Sequence, residues 1–201
     1  IQAGVFTLRP DMTMDQIIEE LQHGELPSGL VTIPEGWRAE QVAALLEENG
    51  ITPAAAFLAA VQAGRDDYAF TLDRPEGASR SLEGFLFPDT YQLPKDTQPE
   101  VVLSILLDNW ETRVGDELLA RAAEQDLTLY ELVTLASLVE REAVLDAERP
   151  LIARVYRNRL AAEMPLQADP TVQYALGYDT ERSTWWPPLL AEQVNTVVSP
   201  Y

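Results

Sequence analysis

The sequence predicts an α+β protein with a small α/β unit over residues 1–50, a helical connector over 51–80 and a mainly helical body over 81–201. Three observations carry that expectation. Two short β-like runs, "GVFTL" (4–8) and "LVTIPEG" (30–36), bracket a capped amphipathic helix. Two T-x-x-E capping boxes, Thr97 with Glu100 and Thr128 with Glu131, open apolar stretches in the second half. Between the halves, residues 65–98 lose periodicity around Pro75, Gly77, Gly84, Pro88 and Pro94, which predicts mostly irregular chain and a domain boundary.

Each helix has its punctuation. In "TMDQIIEELQHG" (13–24), Thr13 and Gln16 form a capping box, Ile17, Ile18 and Leu21 share a face, and Gly24 is the stop, with His23 as a capping residue. "RAEQVAALLEENG" (38–50) ends at Asn49-Gly50. "TPAAAFLAAVQAG" (52–64) has Thr52 as its cap and Pro53 in its first turn. Helices follow at "TQPEVVLSILLDNWETRV" (97–114) and "TLYELVTLASLVEREA" (128–143). "ERPLIARVYRNRLAAEM" (148–164) is a third, with Pro150 in its first turn, and "DPTVQYALG" (169–177) a fourth, capped by Asp169.

Composition excludes several functions. With 33 acidic and 14 basic side chains the net charge is -19, which repels phosphate backbones and anionic lipid. Cysteine is absent and His23 is the single histidine, so thiolate catalysis, Cys-ligated zinc and a His-based triad are set aside. No stretch approaches the roughly 20 apolar residues of a membrane span, so the chain as given reads as soluble.

Glu140, Arg141 and Glu142 follow what otherwise reads as the middle of a buried helix. At about 100° per residue, Leu132, Ala136, Val139 and Ala143 centre the expected buried face, with Val133 and Leu135 on its flanks. Glu140 then borders Val133 and Ala136, while Glu142 lies between Leu135 and Leu138, about 160° away around the axis. That separation excludes a two-carboxylate glycosidase site built from this pair. Either both acids reach outward and pair with Arg141, Arg149 or Arg154, or one of them works with groups elsewhere; periodicity does not choose.

Four blocks, "EGFLFPDTY" (83–91), "LASLVEREA" (135–143), "RVYRNRL" (154–160) and "LQADPTVQYALG" (166–177), occur in an order and spacing that resembles the endolytic murein transglycosylase family, the MltG or YceG-like proteins. "GVFTLRPDMTMDQIIEELQHG" followed by "VTIPEGW" is similar to that family's LysM-like subdomain, so the resemblance spans nearly the whole chain. It implies a LysM-like subdomain at 1–50, a catalytic domain at 81–201, and Glu140 as the catalytic acid with Glu142 in a structural role. Gln167, Asp169 and Thr171 match the family's Q-x-D-P-T-V block and by resemblance line or support the glycan groove. Ser137 is a polar neighbour able to orient Glu140. Glu83 and Tyr201 are placed on the same substrate-binding surface. Phe85 and Phe87 either pack on sugar rings or join the core.

The resemblance further implies lytic cleavage of the bond between N-acetylmuramic acid and N-acetylglucosamine to give 1,6-anhydro ends, with no metal or organic cofactor. One carboxyl suffices for that reaction, and apolar neighbours would favour its protonated form. Expected partners are peptidoglycan strands and possible peptidoglycan synthases, and the parent is expected on the extracytoplasmic face of the cell membrane behind one N-terminal helix. "SPY" (199–201) matches the start of the family's S-x-Y-N-T-Y block, which a Gly-Leu-Pro-Pro segment follows; residues 1–201 alone are therefore expected to cleave more slowly than a longer chain. The competing expectations are a glycan-binding module without catalysis and a scaffold for synthesis enzymes, the latter docking through Trp185-Trp186 and Leu189-Leu190.

Overall fold

A computed structural model describes residues 12–22, 29–72 and 74–197. The expected strand at 4–8, His23, and the 199–201 block with Tyr201 lie outside those residues. The described chain is α+β, as expected. It runs α1 (Met14–Gln22), β1 (Leu30–Thr32), α2 (Ala39–Glu48), α3 (Ala54–Ala63), α4 (Ala69–Leu72), β2 (Thr90–Gln92), α5 (Pro99–Ala123), α6 (Leu129–Glu142), a 3₁₀ turn (Asp146–Glu148), α7 (Arg149–Ala161), α8 (Asp169–Leu176) and α9 (Ala191–Thr196). Among the described residues no helix is long and apolar enough to cross a membrane.

Two compact units make up the chain, residues 1–72 with 76–120, and residues 73–75 with 121–201. Residues 81–120, which the sequence groups with the catalytic body, pack with the N-terminal residues instead. The reason is a long-range pairing invisible to periodicity: β1 and β2 are antiparallel, with Val31 opposite Tyr91 and the Thr32 and Thr90 hydroxyls 2.8 Å apart. The strands are only three residues each, too short to show alternation. Gly29 closes this pairing at φ 100°, where a β carbon would sit 2.1 Å from the Leu93 carbonyl oxygen.

In the first unit, α2 and α3 pack together, and Phe57, Leu46, Ile51, Leu82, Leu103, Leu106 and Leu107 are wholly enclosed. The "EGFLFPDTY" loop contributes to this core. Phe85 is 1% exposed, with its ring 5.5 Å from Phe70 and 5.2 Å from Trp110, which decides for core packing over a sugar platform. Asp89 accepts hydrogen bonds from Thr90 N, Asn109 and Arg113, and these hold its carboxyl below the usual range. Asn109 also donates to the Tyr91 hydroxyl, which in turn donates to Phe87 O, so the loop is pinned to α5.

Two of the three expected capping boxes form. Both predicted bonds of the Thr13–Gln16 and Thr128–Glu131 capping boxes are present, the latter at 2.8 and 3.1 Å. The box at Thr97 is absent. Pro99 is the first residue of α5, Gln98 O receives the first helical bonds, and the Thr97 hydroxyl donates to Pro94 O. The helix also continues past Val114 to Ala123, through the helix-favouring run "DELLARAA".

Thr52 does not cap α3 either. Pro53 holds that position, Glu47 accepts from Ala54 N at 3.1 Å, and the Thr52 hydroxyl is buried without a hydrogen-bond partner. An enclosed hydroxyl without a partner carries a desolvation penalty. Thr52→Val is therefore expected to raise stability by about 1 kcal/mol, read as an upward shift of the urea midpoint with unchanged slope.

Candidate active site

The second unit is built around α6, α7 and α8. Leu135, Leu138 and Val139 of α6 pack with Tyr156 of α7 and Ala168 just before α8, and Leu127, Ile152, Ala153 and Leu166 close around them. This buried face is centred about 75° away from the one the periodicity suggests. Ala136 is exposed and Leu132 only half-buried. The wheel is apolar on both flanks, so intrinsic pattern alone left two orientations, and the partners on α7 and α8 selected one.

Both carboxylates are exposed, on opposite sides of α6. Glu142 lies on the Tyr156 side of α6, where its charge, together with Asp169 and chiefly with burial, pushes the Tyr156 phenol up; Arg159 opposes the shift. Glu140 stands on the open face, exposed, and the apolar packing expected from Val133 and Ala136 is not there. Among the described residues Glu140 makes no hydrogen bond or ion pair.

Ser137, Glu140 and Arg141 follow the i, i+3, i+4 spacing that brings side chains together along one helix face. The Ser137 hydroxyl donates to Thr134 O at 2.7 Å, which leaves its lone pairs open toward solvent. Arg141 pairs with neither flanking acid, because consecutive helix residues diverge. Its guanidinium lies over the Trp186 ring, 4.0 Å from the centroid. The pairing of Glu140 and Glu142 with Arg141, Arg149 or Arg154 does not form; Arg149 pairs with Asp146 at 3.1 Å.

Trp186 is held from below. Its backbone N–H donates to Thr184 Oγ1, Thr184 bridges to Asp179, Gln173 of α8 donates to Pro187 O at 2.8 Å, and Trp185 leans on Tyr178 with ring centroids 5.1 Å apart. Both tryptophans are half-buried, while Leu190 is 53% exposed. Neither Arg141 nor Trp186 was singled out for the site by sequence. The available signal was an arginine set between two acids, a position where helix geometry prevents it from pairing with either.

The remaining candidates divide. Gln167 is exposed at φ 51°, between Leu166 and Ala168, which both pack on the core. Asp169 is exposed in the first turn of α8, favourable for the helix dipole, but Ala168 is the capping position. Thr171 is buried, and its hydroxyl donates to Ala168 O at 2.8 Å, so it stabilises the turn that presents Gln167. Glu83 belongs to the first unit, where it accepts from Ala39 N at 3.2 Å at the start of α2. Thus α6 brings Ser137 and Glu140 onto one face, α8 and its entry carry Gln167, Asp169 and Thr171, and Glu83 is engaged elsewhere.

Residues 1–201 match the YceG-like family along their whole length. Curated relatives include the endolytic murein transglycosylase of Streptococcus pneumoniae D39, 33% identical over 199 residues, covering 88% of this chain and 36% of the relative. The Bacillus subtilis protein of the same name is 31% identical over 196 residues, covering 90% of this chain and 53% of the relative. The chain therefore spans between about a third and a half of the relatives' length. Among solved structures, a YceG-like protein from Listeria monocytogenes at 26% identity superposes with a TM-score of 0.70, covering 99% of this chain and 67% of that one.

Proposed function

Since the chain belongs to the YceG-like family, we propose that it supplies the catalytic region of a peptidoglycan lytic transglycosylase, with Glu140 as its acid and base. The observation that carries this reading is the exposed Glu140 carboxylate, which makes no hydrogen bond or ion pair among the described residues and stands on the open face of α6 beside Ser137 and Arg141.

In the proposed reaction the protonated Glu140 gives its proton to the glycosidic oxygen as the bond from the muramic anomeric carbon breaks, releasing the N-acetylglucosamine hydroxyl. The muramic 6-hydroxyl oxygen then bonds to that carbon, and the Glu140 carboxylate recovers the hydroxyl proton. No water is consumed, and the product ends in 1,6-anhydromuramic acid. A second carboxylate is unnecessary because the nucleophile belongs to the substrate. Gln167 offers donor and acceptor to acetamido groups. A LysM-like role for the first residues, an extracytoplasmic membrane-anchored parent and synthase partners belong to the same reading, in which strand release or termination is the outcome.

The experiment is mass spectrometry of digested peptidoglycan. Anhydro ends are the expected product; reducing ends would assign a hydrolase, and binding without cleavage a glycan-binding module.

A further inference from the structure

Arg141 has an arrangement that the proton chemistry of Glu140 does not use. Its guanidinium carries five N–H donors. Among the described residues it makes no hydrogen bond or ion pair, although 33 acidic side chains populate the chain. It is instead laid on the Trp186 ring, and the backbone that carries this ring is held by the Trp186 main-chain N–H to Thr184 Oγ1 and by the Gln173–Pro187 bond. Partial withdrawal from water pulls the Arg141 pKa down, with the nearby Glu140 charge acting against this.

Position in the last turn of α6 accounts for a cation, since the helix C-terminus favours one. It does not account for a platform that orients the fork while its donors meet no acceptor among the described residues. A stacked, pre-oriented guanidinium matches a carboxylate with two parallel hydrogen bonds and loses little conformational freedom on binding. The charge balance points the same way: a chain of net charge -19 repels an anionic polymer unless a local cation meets it.

We propose that Arg141, on its Trp186 platform, is a substrate-binding residue that receives a stem-peptide carboxylate of the peptidoglycan strand beside Glu140. This rests on the lytic reading for the identity of the substrate. It makes the face of α6 a two-part site, with Glu140 at the sugar bond and Arg141 reading the peptide attached to muramic acid.

Binding is measured in a Glu140→Gln background, so that strands are held and not cleaved. Two strand preparations are used, one with free stem carboxylates and one in which they are amidated. Arg141→Met is expected to weaken binding of the free-carboxylate strands by roughly 10-fold or more and to leave the amidated strands unchanged. Arg141→Lys, which keeps the charge without the fork, should fall between. If Arg141→Met lowers the melting temperature, the lysine variant carries the comparison. Equal weakening of both strand types, or none, overturns the proposal. Absence of anhydro product from the protein with Glu140 intact, alongside the expected difference between strands, would overturn the lytic reading and leave carboxylate recognition standing.

Discussion

Glu140→Gln is expected to lower anhydro-product formation by roughly 10²-fold or more while the protein stays folded and still binds strands. Glutamine keeps the shape of the side chain and loses the ability to give and recover a proton. Stability should change by less than about 0.5 kcal/mol, because the side chain is exposed and makes no hydrogen bond or ion pair among the described residues. The paired control is Glu142→Gln. Glu142 faces the Tyr156 side of α6, so its loss should leave most of the turnover and relieve the upward push on the Tyr156 phenol. An active Glu140→Gln with an inactive Glu142→Gln would exchange the two assignments. Product quantified by mass spectrometry, with thermal melts on the same samples, reads both.

Phe85→Ala is expected to destabilise the first unit by about 3–5 kcal/mol. The ring is 1% exposed and lies between Phe70 and Trp110, which themselves approach to 4.4 Å. Removing it empties a space bounded by rings on two sides, where close packing prevents full collapse. Trp110 lies at the site of the change, so its fluorescence during urea unfolding reports the loss directly. Phe87→Ala should cost less, since Phe87 is half-buried. An unchanged midpoint for Phe85→Ala, with weakened glycan binding, would return this aromatic to the role of a sugar platform.

The T-x-x-E pattern was reliable at Thr128 and misleading at Thr97, and the difference is physical. At Thr128 the threonine oxygen accepts from Glu131 N and its hydroxyl donates to the Glu131 carboxylate, so the box closes. At Thr97 the proline two residues on already has the backbone geometry of a first helical residue, which moves the start of α5 to Pro99. The four sequence blocks located the candidate acid correctly on a helix, yet they implied nothing about Arg141 or Trp186, which are 45 residues apart along the chain and meet only through folding.

The sequence by itself determined the α+β class, where most helices begin and end, and membership of the family. Those properties rest on hydrogen bonds and propensities acting within a few residues, and on motif spacing along the chain. The tertiary structure alone decided which side of α6 is buried. Leu132, Val133, Leu135, Ala136, Leu138 and Val139 make that helix apolar over most of its circumference, so rotating it costs little until Tyr156, Ala168, Ile152 and Leu166 offer surface to only one face. Packing against those distant residues set Glu142 on the side of the phenol and Glu140 on the opposite side, both exposed, because burial free energy depends on which surfaces meet and a single helix cannot specify its own partner.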